Sequence, residues 1–287
     1  MSRHADIEKV ECCAPARSVA VDWEQFLAPG VATTSLPTPI DEFYEAQKSL
    51  AKLSRLVGDT SLAPDASALL AGQVLLSYVS ATELYFRRAI ARMVRICPFV
   101  RSSTSAQTIP FGAIDYYGAR GIEHALTEQV TFTEPGKVRS QLQQRLEVQV
   151  RAGTSLERSI ADFEKLSHLR HALVHSHGVL NSTNASQLLA ESGNRARRTS
   201  LDETCLGWAA AVSLNLVRDS NTEIVRSTLW RWISNGYVGT DRRQSRPRVK
   251  KLLDQFASQV DLASGDTTFD LTKSTDLVVA IAGQVQR

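Results

Sequence analysis

Four of the six histidines in this 287-residue chain fall between Ser167 and Asn181, in the run Ser-His-Leu-Arg-His-Ala-Leu-Val-His-Ser-His-Gly-Val-Leu-Asn. An imidazole titrates near neutrality, so it can take a proton from a hydroxyl or return one to a leaving oxygen. An arginine beside it can hold a phosphate and stabilise the charge that builds there. Arg170, His171 and His175 together therefore suffice to cleave RNA without a metal or any other cofactor. In that chemistry His175 is the acid or base, Arg170 binds the scissile phosphate, and His171 orients Arg170 or the phosphate. The ribose 2′-hydroxyl attacks phosphorus and leaves a 2′,3′-cyclic phosphate. His168 and His177 are secondary candidates.

Two other chemistries use the same residues. His168, His171 and His175 stand at i, i+3 and i+7, on one helical face, where neutral imidazoles can bind zinc. No nearby cysteine completes that set, and three ligands along one straight helix span too far for one ion, so no metal is expected. The plain alternative is four histidines exposed or satisfied at a helix end with no catalytic duty.

The element that positions these groups is a helix. Thr154 and Glu157 make a capping box, and Leu156, Ile160, Phe163, Leu166, Leu169 and Leu173 follow at steps of three and four. Gly178 sits where a helix end favours a residue free to take positive φ. Five positions turn a helix through about 500°, so Arg170 and His175 point about 140° apart. One helix cannot easily bring both onto one phosphate; two copies meeting across a two-fold axis can.

Arg170-His171-Ala172-Leu173-Val174-His175 resembles the signature of the HEPN domains (higher eukaryotes and prokaryotes nucleotide-binding). In that family an arginine, a polar residue and a histidine four to six places after the arginine lie near a helix end in an all-helical bundle. Ser80 to Arg88 resembles the family's earlier helix, whose acidic residue faces the later motif; here that residue is Glu83. The likeness covers roughly residues 65 to 180 and extends plausibly to about 235. It implies metal-independent RNA cleavage by a homodimer, often as a toxin or antiviral defence effector. Such a ribonuclease needs control, so an antitoxin or regulatory protein is an expected partner. A non-catalytic HEPN-like module for dimerisation, or for binding nucleotide or RNA, is the alternative.

Glu83 has a second reading, because Arg87 lies four residues on and completes an ordinary helix pair. In the sharper reading its carboxylate fixes the Arg170 guanidinium. Arg87 and Arg88, continued by Arg92 and Arg95, make a basic stripe that either follows an RNA backbone or is a solvated face.

The rest of the chain is expected to be all α. Hydrophobic residues are 43% of it, enough for a sizeable core, and the net charge of +3 permits a polyanionic partner without demanding one. No apolar run is long enough to cross a membrane, and Met1 to Glu8 lacks a secretory h-region. Cys12, Cys13, Cys97 and Cys205 show no metal spacing, which fits reduced thiols in a cytoplasm.

Three regions are expected. Residues 1–40, rich in proline, read as an irregular arm. Residues 41–235 read as the helical domain. Within it, helices are predicted from Asp41 to Val57, from Asp65 or Ser67 to Ile96, over Gly118 to Val130 with His124 structural or exposed, and over Val138 to Val150. Two more open at the Ser200/Glu203 capping box and at Thr222. Arg101 to Thr108 reads as a loop. Ile109 to Tyr117 reads as a loop over the bundle, or as a place where Phe111, Tyr116 or Tyr117 stacks on a base. Ser182 to Thr199 reads as a polar loop ending in the basic run Arg195 to Arg198. Residues 236–287 read as a basic extension with one short helix near Leu252 to Val260.

Overall fold

A computed structural model describes residues 21–27, 37–59, 61–188, 196–267 and 269–285. The chain divides into two units, residues 1–36 and 37–287. In the first, Asp22 accepts the Glu24 N–H at 3.2 Å and starts a 3-10 turn over Trp23–Phe26, on which Trp23, Phe26 and Leu27 are exposed.

The second unit is a helical bundle, as expected, and no strand occurs among the described residues. Its elements are α1 (Pro39–Val57), α2 (Pro64–Ile96), α3 (Pro98–Thr104), α4 (Phe111–Ala125), α5 (Lys137–Leu146), α6 (Ser155–Ser176), α7 (Ser182–Leu188), α8 (Glu203–Ser234), α9 (Arg242–Phe256), α10 (Gln259–Ser264) and α11 (Leu271–Val285). None of these helices is long and apolar enough to cross a membrane.

Local signals explain most of the helix ends. Thr38 caps α1 by accepting the Asp41 N–H at 3.3 Å, so α1 begins at Pro39, where a missing N–H costs nothing. Asp41, expected to open the helix, instead turns its buried carboxylate to Ser258, whose hydroxyl donates at 2.7 Å, and to the Gln259 N–H at 3.0 Å. It thereby ties the first turn of α1 to the start of α10. Thr154 caps α6 by accepting the Glu157 N–H at 3.3 Å; Glu157 reaches back to the Gly153 N–H at 2.7 Å, closing the box one residue earlier than the standard pattern. That bond, with Arg139 second, holds the Glu157 carboxyl below its ordinary range.

Several segments depart from the sequence expectation. Ile109 to Tyr117 is not a loop for most of its length: α4 starts at Phe111 and is broken at Gly118, whose φ of 61° and ψ of −176° are open to glycine. Its mixed apolar pattern hid the helix, because among its described side chains Ala113, Glu123 and Ala125 are buried while Phe111 and Tyr116 face solvent. α3 occupies the start of the expected Arg101 loop. Asn181 accepts the Asn184 N–H at 2.8 Å and opens α7 inside the expected polar loop. Asp202, not Ser200, caps α8 by accepting the Cys205 N–H at 2.7 Å, and the helix runs unbroken through Thr222 for 32 residues. Residues 189–195, including Arg195, and Cys12 and Cys13 lie outside the described residues.

The core lies among α1, α2, α6 and α8. α6 contributes Leu156, Ile160, Phe163 and Leu166, with Leu169 and Leu173 half-buried, so the predicted stripe faces inward as read. Each such burial is worth about 1.5–3 kcal/mol before entropy is subtracted. Tyr85 donates to Asn221 Oδ1 at 3.2 Å, and Asn221 donates to the Phe256 carbonyl at 2.8 Å, joining α2, α8 and α9 through buried polar groups. Tyr44 donates to Asp261 at 2.8 Å and accepts from Arg218 Nε at 2.8 Å; burial pushes its phenol up to about 12. Residues after 236 do not behave as a tail. Val238, Val249, Leu252, Phe256 and Val279 enter the same core, so α9 and α11 are integral layers of the bundle.

Candidate functional site at the end of α6

α6 remains helical through Ser176, so the rotation between Arg170 and His175 expected from a regular helix stands. It ends in two left-handed residues, His177 at φ 47° and Gly178 at φ 81°. The Gly178 N–H returns to the Ala172 carbonyl at 2.9 Å and closes the helix end. A Cβ on Gly178 would sit 2.6 Å from Thr199 Oγ1, because the strand-like segment after α7 passes close by. The Thr199 N–H donates to the Gly178 carbonyl at 2.8 Å, and the Leu180 N–H to the Arg197 carbonyl at 2.8 Å. The histidine end is thus held from below by the chain that leads into α8.

Its side chains divide into two groups. His171, His175 and His177 are exposed, and the rings of His171 and His175 lie 4.6 Å apart between centroids, tilted by 47°. Val174, between them in sequence, is 46% exposed. Arg170 is half-buried, and among the described residues its guanidinium makes no hydrogen bond or ion pair. His168 belongs elsewhere: it is buried, and its Nδ1 lies 3.0 Å from Asn184 Oδ1. An amide oxygen can only accept, so His168 donates from Nδ1 and anchors α7 on α6. His168 is thus buried where His171 and His175 are exposed, and the described residues contain no group of three or more His, Cys, Asp or Glu arranged for a metal. Asn184 was missed in the sequence, although its N-capping relation to Asn181 was legible there.

The supporting residues lie apart from the histidines. Glu83 does not reach Arg170; its carboxylate accepts from Arg87 Nη2 at 3.0 Å and from the Phe132 N–H at 3.3 Å. Arg87 is not a free cation for substrate. Its guanidinium also donates to the carbonyls of Thr127, Glu128 and Val130, the last two at 3.0 and 2.6 Å, and so pins the segment after α4 onto α2. Arg88 pairs with Glu42 of α1 at 3.4 Å, Arg92 donates to Gln255 at 2.7 Å, and Arg95 pairs with Glu123 at 2.6 Å. The basic stripe is therefore a seam between helices, since each cation meets an acceptor from a neighbouring element. Phe111 and Tyr116 remain exposed at 76% and 83%, while Tyr117 is half-buried beside Tyr116 and His124.

His124 is pressed by this seam. Burial first, then Arg88, with Arg95 and Arg92 behind it, lowers its pKa, and Glu123 opposes them. The folded protein thus resists protonating His124, whereas the unfolded chain does not. Stability contributed by the neutral ring is present above the unfolded pKa and is lost as pH falls through it towards the folded value. Thermal melts between about pH 7.5 and about pH 5.5, across the imidazole range, should show a smaller acid loss of stability in His124→Gln than in the parent protein. Equal losses would remove His124 from the account.

Two large cavities lie away from the histidines. One of about 700 Å³ is lined by Phe256, Val225, Arg226 and Arg218, and one of about 620 Å³ by Arg151, Thr154, Arg226 and Trp230. Neither is lined by Arg170, His171 or His175. Compared with protein-family models, curated proteins and solved structures, the chain matches none.

Proposed function

We propose that the chain is a metal-independent endoribonuclease that acts as a homodimer, in the manner of a toxin or antiviral defence effector. One observation carries this reading: two adjacent exposed imidazoles, His171 and His175, share the last turns of α6 with an Arg170 that has no ion-pair partner among the described residues. A surface arginine free of carboxylates can take a phosphate, and histidines at its side can move protons.

The reaction balances with these groups alone. One His175 removes the 2′-hydroxyl proton as the 2′-oxygen bonds to phosphorus. The bond from phosphorus to the 5′-oxygen breaks, and that oxygen takes a proton from the His175 of the second chain. Arg170 stabilises the dianionic, five-coordinate phosphorus between them. Pairing across a two-fold axis answers the divergence of Arg170 from His175 on one helix, and Val174 offers apolar surface on the histidine face for that contact.

A second reading keeps the dimer and drops the chemistry, leaving a module that binds nucleotide, RNA or a regulatory protein. It is favoured by Glu83, whose engagement with Arg87 leaves Arg170 with no orienting carboxylate among the described residues. Incubation of the purified protein with mixed cellular RNA in EDTA, followed by mapping of the ends, separates the two. Cleavage with 2′,3′-cyclic phosphate ends is the expected result; intact RNA retained by a stable dimer would favour the binding module.

A further inference from the structure

The histidine pair has the geometry of a chelate as well as of an acid and base. We propose that His171 and His175 form a two-imidazole binding site for a borderline transition-metal ion such as Zn²⁺. Histidines at i and i+4 on one helix point to the same side and can share a single ion. Here the rings already lie 4.6 Å apart between centroids, both are exposed, and neither makes a hydrogen bond among the described residues. Small rotations of the rings suffice to bring one nitrogen of each to about 2.0–2.1 Å from an ion. The helical backbone holds the two side chains in place before any ion arrives, which lowers the ordering cost of binding.

The protein supplies two ligands and water supplies the others. His168 is not part of the pair, because it is buried whereas His171 and His175 are exposed. His177 is itself the left-handed cap of the helix, off the i, i+4 row. A bound ion occupies the imidazole lone pairs that proton transfer requires, so the metal would switch the histidines off. That last consequence rests on the ribonuclease reading; the binding itself does not.

Calorimetric titration of the full-length chain with ZnCl₂, and separately with MgCl₂, tests the site without any activity assay. One Zn²⁺ per chain is expected, with no Mg²⁺ uptake, since magnesium prefers oxygen ligands. His171→Ala and His175→Ala should each weaken Zn²⁺ binding by about tenfold or more, and His177→Ala should not. Both positions are exposed and alanine favours helix, so unchanged far-ultraviolet dichroism is expected in each variant. Zn²⁺ binding as tight in the His171→Ala and His175→Ala proteins as in the parent protein, or lost in His177→Ala, would overturn the proposal. Failure of RNA cleavage with intact Zn²⁺ binding would count against the ribonuclease reading alone.

Discussion

His175→Ala is expected to lower RNA cleavage by about 10²–10⁴-fold, the usual contribution of a positioned general acid or base. The side chain is exposed at the end of α6, so its removal leaves the core of Leu156, Ile160, Phe163 and Leu166 untouched and costs little stability. Arg170→Ala should lower the rate by about 10²–10³-fold, the scale set by loss of one donor to a charged transition state. His177→Ala, at the left-handed cap and off the His171–His175 row, should leave the rate unchanged. Rates measured on one defined RNA, with helicity and oligomeric state checked for each protein, decide the matter. Partial recovery of the His175→Ala rate by added imidazole would mark a proton-transfer role that a merely structural histidine lacks. Undiminished cleavage in both variants would place the activity elsewhere.

Arg87→Met is expected to act on stability and to leave RNA affinity alone. Methionine keeps much of the aliphatic stem but removes the guanidinium that serves Glu83, Glu128 and Val130 at 3.0, 3.0 and 2.6 Å. Bonds from a charged donor are worth about 1.5–3 kcal/mol each when buried, and the acceptors left behind lose their partner. The side chain retains 28% of its exposure, so solvent screens the pair and water replaces part of the loss. A net cost of about 2–3 kcal/mol follows, or roughly 4–12 °C in Tm for a domain of this size. Lys251→Met, at an exposed position of α9, should change stability by less than about 0.5 kcal/mol. If Arg87→Met weakened RNA binding with no change in Tm, the seam formed by Arg87, Arg88, Arg92 and Arg95 would have to be read again as a nucleic-acid track.

The two readings of Glu83 and Arg87 show how an arginine row misleads. Viewed in sequence, four arginines at steps of one, four and three on one helix resemble a surface built for phosphates. The acceptors that use them come from Glu42, Glu123, Val130 and Gln255, which belong to four separate segments. Only packing brings those segments to α2, and once there they offer each cation an acceptor within the protein.

What could be read along the chain was whatever is encoded within about one helical turn to three. The Thr154 cap, the apolar stripe from Leu156 to Leu173, the stop at Gly178 and the end of α2 at Ile96 are all local signals, and each appears where it was read. The exposure of His171 and His175 follows from their place off that stripe. Tertiary structure decided the rest. The partner of His168 lies 16 residues away, a second partner of Glu83 lies 49 away at Phe132, and Asp41 finds Ser258 across 217 residues. A hydrogen-bonding side chain has many possible partners of equal chemistry, and sequence spacing ranks only the nearest of them. The choice among distant ones is made by which apolar faces pack together, and that same packing turned an expected tail into the layers α9 and α11.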